Sequence, residues 1–118
     1  MGSTGTGRFG DYKKGTTDTK GLCEKELKNV ELEEVGRLEY FNTYENVPAV
    51  GELVVISDSL ENGRIVVVIE RTGEKVGLFP TRYSYIPACI KQGFRYAGSV
   101  VYSTLKPFPK VVVDLNVE

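Results

Sequence analysis

Hydrophobic and polar positions alternate along most of this chain with a period near two. That is the period of a strand with one buried face. The clearest block is residues 52–79. Glu52-Leu53-Val54-Val55-Ile56-Ser57 is a β-branched run, and Arg64-Ile65-Val66-Val67-Val68-Ile69-Glu70 is another. Asn62-Gly63 lies just before the second run. Asn-Gly is the strongest short-range hairpin signal, because a type I′ turn needs positive φ at both central positions. Thr72-Gly73 makes a second tight turn, and Lys75-Val76-Gly77-Leu78-Phe79 returns before Pro80 stops it. The pattern predicts a three-stranded meander. Gly77 is expected to permit close backbone packing.

Elsewhere the pattern is weaker. Val35 to Phe41 reads as a first strand, and Asn42 to Ala49 as a loop. Leu22 to Leu32 mixes apolar and charged residues as a turn of helix or an extended lead-in. After Pro80, Thr81 or Ser84 can cap a helix with Pro87 in its first turn, where the missing N–H costs nothing. Ile86, Cys89 and Ile90 form its apolar face, and Gly93 is a natural stop. Alternation resumes over Phe94 to Ser103, with Phe94, Tyr96, Gly98, Val100 and Tyr102 on one buried face. Lys106-Pro107-Phe108-Pro109 makes a rigid loop before a last strand, Val111 to Val117. The expected fold is mainly β: a small, partly open SH3-like or OB-like barrel of about six strands with one short helix. Such a barrel closes exposed edges economically.

Length adds a boundary. At 118 residues the chain suits one domain. Met1 to Gly21 is rich in glycine, threonine and charge, too poor in apolar residues to offset its ordering entropy. The expected division is a disordered tail over residues 1–28 and one domain over 29–118. Met1 to Thr6 formally fits an N-myristoylation pattern but is read as a cloning remnant. No apolar run reaches the ~20 residues of a membrane span, and no secretory leader is visible, so a cytoplasmic, monomeric protein is expected. Cys23 and Cys89 are far apart in sequence and are expected to be unbridged there.

Charge sharpens the picture. Residues 1–62 carry seven Lys/Arg against twelve Asp/Glu, while residues 63–113 carry eight against two. Such asymmetry can indicate an anionic partner for the basic half. Cations that merely solvate strand faces are the commoner explanation.

Catalysis finds little support. Histidine is absent, and no serine or cysteine is flanked by a base. Glu70 and Glu74 flank a turn and form the best carboxylate pair, but turn carboxylates are mostly solvated. Glycine spacing fits no phosphate loop, and no Cys/His cluster suits a metal. No catalytic residue, cofactor or metal site is therefore assigned. What remains is aromatic and basic residues interleaved between 79 and 108. Aromatic faces stack on unpaired bases while cations hold phosphates. Tyr83, Tyr85 and Phe108, in expected loops, are the surface candidates.

Residues 35–117 resemble a HIRAN domain. The resemblance rests on Val35-Gly36-Arg37-Leu38-Glu39-Tyr40, Val50-Gly51-Glu52-Leu53-Val54, Ile65-Val66-Val67-Val68, the turn into Lys75-Val76-Gly77-Leu78-Phe79-Pro80, the Ile86–Gly93 helix and Tyr96-Ala97-Gly98-Ser99-Val100. It implies a modified OB-like or SH3-like barrel and, for some members, binding of single-stranded DNA ends. By place it points to Arg37, Tyr40, Asn62, Thr81 and Arg82, with Phe108 matching loosely. The family's Asn-Pro-x-Asp-type loop is here Asp58 to Gly63, which keeps one asparagine and lacks Pro-x-Asp. The expected function is a non-enzymatic module for single-stranded DNA or DNA ends, with Arg37, Tyr40, Asn62, Thr81, Arg82, Tyr83 and Phe108 as contacts. The alternative is a protein-interaction or regulatory barrel without nucleic-acid binding.

Overall fold

The apolar alternation resolves into a curled antiparallel half-barrel. The computed structural model describes residues 21–118. Among them, six strands form one sheet: β1 (Leu27–Glu31), β2 (Leu53–Ile56), β3 (Val66–Ile69), β4 (Lys75–Leu78), β5 (Tyr96–Thr104) and β6 (Lys110–Val117). Their order across the sheet is β1-β6-β5-β2-β3-β4, all neighbours antiparallel. Short helices α1 (Glu39–Tyr44) and α2 (Ile86–Lys91) accompany it, residues 21–23 are also helical, and 3₁₀ turns lie at Val35–Arg37 and Thr81–Tyr83. The mainly-β, partly open barrel expected from the pattern is the observed fold.

The β2–β3–β4 meander lies as expected. Asn62 and Gly63 both take positive φ (51° and 79°), and Glu61 and Arg64 exchange backbone hydrogen bonds of 2.8 Å across them. These are the features of a two-residue I′ turn. Pro87 sits in the first turn of α2, and Gly93 follows it at φ 103°.

Closure comes from a segment that the pattern places differently. Just after β1, Glu33 and Leu78 exchange hydrogen bonds (2.7 and 2.8 Å), linking the two outer strands of the sheet by a single bridge. Leu32 then lies against Gly77, where a Cβ would come within 2.8 Å of the Leu32 Cβ. Gly77 thus allows the seam to close, as expected of it.

The first strand is therefore 27–31, not 35–41. Val35 to Tyr44 forms a 3₁₀ turn and α1 instead, broken at Leu38. The extended backbone of Leu38 (φ −98°, ψ 175°) sends Val35 and Leu38 into two different cores, which one regular strand face could not do. Leu38 crosses the outside of the barrel and covers Val66 and Leu78, a second small core. This explains the unbroken apolar run of β3: it is buried on both faces. Residues 21–28, read as tail, also belong to the fold, since Cys23 and Leu27 are fully buried. The remainder of the expected tail, residues 1–20, lies outside the described residues.

The main core gathers Val30, Val54, Val67, Ile69, Val76, Phe79, Ile86, Tyr96, Val100, Val113 and Leu115 inside the curl. One end is covered by α2 and the turn before β1, joined by a disulfide between Cys23 and Cys89. The two cysteines were expected to be unbridged. Folding brings their Cα atoms to 5.6 Å, within bridging range. Tyr96 donates a 2.7 Å hydrogen bond from its hydroxyl to the Cys23 carbonyl, so this buried end has its polar groups paired.

Candidate interaction surfaces

Three of the eight cations in the basic half are taken up by carboxylates. Arg64 pairs with Glu33 at 2.6 Å and with Glu34 at 3.8 Å, and also donates to the Phe79 carbonyl at 3.0 Å. Arg71 pairs with Glu52 at 3.1 Å and Lys75 with Glu61 at 2.6 Å. The acids belong to the first half of the chain, so folding intermixes the two halves that look oppositely charged in sequence. Each pair leaves its mark. Its hydrogen bond to Lys75 holds Glu61 below the usual carboxylate range, and that same bond raises Lys75. Arg71 is raised chiefly by its bond to Glu52. Residues 21–118 carry eleven Lys/Arg and fourteen Asp/Glu, an acidic excess.

The residues expected to touch nucleic acid fall into several places. Arg37 ends the 3₁₀ turn on the seam and pairs with Glu34, so it joins the Glu33–Glu34–Arg64 group. Asn62 occupies the β2–β3 turn in a backbone role. Thr81 lines a shallow cavity of about 130 Å³ with Gly63, Arg64, Ile65, Phe79, Pro80, Ser84 and Pro87, next to that turn. Arg82 lies 4.8 Å from the centre of the Tyr83 ring, and Tyr83 packs on Phe79 at 4.8 Å and Tyr85 at 6.3 Å. Burial raises the Tyr85 phenol. Arg37, Asn62, Thr81, Arg82 and Tyr83 therefore border the seam and the α2 end of the barrel.

Phe108 and Tyr40 are elsewhere. Phe108 is exposed at the tip of the β5–β6 hairpin, with the Lys110 ammonium 6.0 Å from its ring centre. Tyr40 is on α1, which packs on β4, and its ring is 4.6 Å from that of Tyr44. Burial, then Glu52 and Glu74, raise the Tyr40 phenol. Tyr44 donates to Glu74 at 2.8 Å, and that bond is the main cause of its own raised value. The carboxylate pair of the sequence reading is split in role: Glu70 is exposed beyond β3, whereas Glu74 also accepts a hydrogen bond from Thr72.

A second surface escaped the pattern. A bulge between Val100 and Tyr102 shifts the β5–β6 register, so Val100 stays buried while Tyr102 turns outward, 51% exposed. Strict alternation would bury both. Across the outer face, Leu53 pairs with Ser99 and Ser99 with Asp114, while the Leu53 carbonyl accepts the Glu70 N–H. Leu53 is 56% exposed and Val50 63%. The Gly51 N–H bonds to the Val100 carbonyl, which keeps Val50 beside the bulge. Glu52, Leu53, Glu70 and Arg71 line a cavity of about 360 Å³ beside this apolar face. The only sequence signal for it was the exposed position of Leu53 in the meander, opposite in phase to Val54 and Ile56.

No family model, curated protein or solved structure matches this chain.

Proposed function

We propose that this domain is a non-enzymatic interaction module whose partner is a protein segment. The observation that carries the reading is the group of exposed apolar side chains formed by Val50 in the turn before β2, Leu53 at the start of β2 and Tyr102 on β5, on an acidic domain. A contiguous group of large apolar side chains left in water is typical of a recognition surface. Titrating the isotope-labelled domain with a Leu/Lys peptide, a proline-rich peptide and a short oligothymidylate tests it. A peptide is expected to shift backbone amide resonances more strongly than the oligonucleotide at physiological salt. Tighter binding of the oligonucleotide would overturn the reading.

The second reading is the nucleic-acid module for single-stranded DNA or DNA ends. What favours it is the α2 end of the barrel, where Arg82 stacks on Tyr83 beside Tyr85, and Lys91 and Arg95 follow on the same short stretch. Cations beside aromatic rings suit single strands. The sequence resemblance to HIRAN domains also lies behind this reading; the stretch Val35 to Tyr40 that opens it is a 3₁₀ turn and the start of α1 rather than a strand. Binding of this kind would fall steeply with salt, and Arg82→Ala should weaken it.

Monomeric and cytoplasmic states remain part of the proposal. Among the described residues no helix is long and apolar enough to cross a membrane. The cytoplasmic placement competes with the Cys23–Cys89 disulfide, because such bonds persist best in oxidising compartments. Thiol alkylation in the source cells, followed by mass spectrometry, distinguishes the two: blocked thiols place the chain in a reducing compartment.

A further inference from the structure

Resting on the interaction-module reading, we propose that the Val50–Leu53–Tyr102 face docks a basic amphipathic segment of a partner protein, with Glu70, Glu74 and Asp114 receiving its cations. Three observations lead there. First, the face is apolar and exposed at its centre. Second, its surroundings are acidic. Among the described residues, Glu70, Glu74 and Asp114 have no salt-bridge partner, although Glu74 accepts hydrogen bonds from Tyr44 and Thr72 and Asp114 one from the Asn29 N–H. Of the cations beside the face, Arg71 is paired with Glu52, and Lys110, two residues along β6 from the Val112 that faces Tyr102, lies over the Phe108 ring. Third, the route of strand addition is restricted, because the two outer strands are joined at Glu33 and Leu78. The partner must be read by side chains rather than by backbone pairing.

Charge complementarity selects the occupant. A second copy of this chain meeting the face about a two-fold axis presents the same patch. Its Glu70, Glu74 and Asp114 outnumber Lys110, its cation unpaired among the described residues, so it supplies too few cations to complement the face. An anionic polymer meets the same obstacle. A segment that alternates an aliphatic stripe with Lys or Arg satisfies both halves of the surface: its apolar side chains cover Leu53 and Tyr102, and its cations reach the carboxylates. The hydroxyls of Tyr102 and Ser99 add polar contacts at the margin.

The experiment compares a fluorescent Leu/Lys amphipathic peptide with a Leu/Glu peptide of equal length, by anisotropy and by amide-shift mapping. The Leu/Lys peptide is expected to bind selectively and to shift Val50, Leu53, Ser99 and Tyr102. The double variant Leu53→Ser/Tyr102→Ser, altered only at exposed positions, should lose affinity by about tenfold or more. Glu70→Gln should weaken binding less and flatten its salt dependence. Equal binding of both peptides, or an unchanged affinity in the double variant, overturns the inference. Shifts confined to residues 81–95 also overturn it but leave the interaction-module reading standing. Concentration-dependent dimerisation through the same face, seen by sedimentation, replaces the partner with a second copy and overturns it too.

Discussion

Gly77 and Leu32 meet where the barrel closes: a Cβ on Gly77 would sit 2.8 Å from the Leu32 Cβ and 3.1 Å from a Val35 methyl. Neither neighbour is the free end of a flexible chain, and Leu32 is itself fixed by its N–H bond to the Val111 carbonyl at 2.9 Å. Gly77→Ala must therefore push the seam apart. The expected loss is about 1–3 kcal/mol, the usual cost of overpacking. Urea denaturation measures it. An unchanged midpoint would mean the seam is softer than its packing indicates.

The disulfide restricts the unfolded chain over a separation of 66 residues. In the chain-entropy account, a loop of that size is worth about 4 kcal/mol. Cys23→Ser/Cys89→Ser should lose close to that amount. Wild-type protein unfolded in the presence of a reductant should approach the same midpoint. If reductant leaves the wild type unaffected, the bridge contributes little to stability.

Tyr96 supplies an alkaline limit. Burial, with a smaller contribution from Tyr85, pushes its phenol from 10.0 up to about 12. Folding thus favours the neutral form. The associated stability is fully present below pH 10.0 and is lost as pH rises through about 12. Ultraviolet titration should show a tyrosine ionising late, together with loss of the β circular-dichroism signal. Tyr96→Phe should remove that late step. It should also cost about 1 kcal/mol at neutral pH, because the Cys23 carbonyl loses its donor.

The β2–β3 turn separates backbone from packing. A Cβ on Gly63 meets nothing within 4 Å, yet its φ is +79°. Gly63→Ala should cost about 1 kcal/mol through the backbone alone. Asn62→Gly, which keeps positive φ accessible, should be close to neutral. Thermal melts of the two variants make the comparison, and equal losses would argue against a purely conformational cause.

Much of the fold is legible wherever burial follows the local period. The β2–β4 meander, Pro80, the Pro87–Gly93 helix and the closing hairpin all have that character. β1 lacks it. Leu27 and Val30 are three apart and both buried, which a regular strand forbids. An irregularity at Asn29, at φ 53° with its N–H bonded to the Asp114 carboxylate at 2.6 Å, brings them to one face. The Val100–Tyr102 bulge has the opposite effect, placing a residue of the apparent apolar face in water. A bulge depends on the partner strand, so it cannot be read from one strand's alternation.

By itself, then, the sequence determined a mainly-β domain, its turns and the Ile86–Lys91 helix, because turn chemistry and strand alternation are local. The cap expected from Thr81 or Ser84 is not formed, since that helix starts from Tyr85 with no side-chain cap. Tertiary structure decided the seam, the disulfide and the character of the surface. Glu33 lies 31 residues from Arg64, Glu52 lies 19 from Arg71 and Glu61 lies 14 from Lys75, yet the fold pairs each acid with its cation. Coulombic interaction depends on separation in space, and only folding brings the acidic and basic halves within reach.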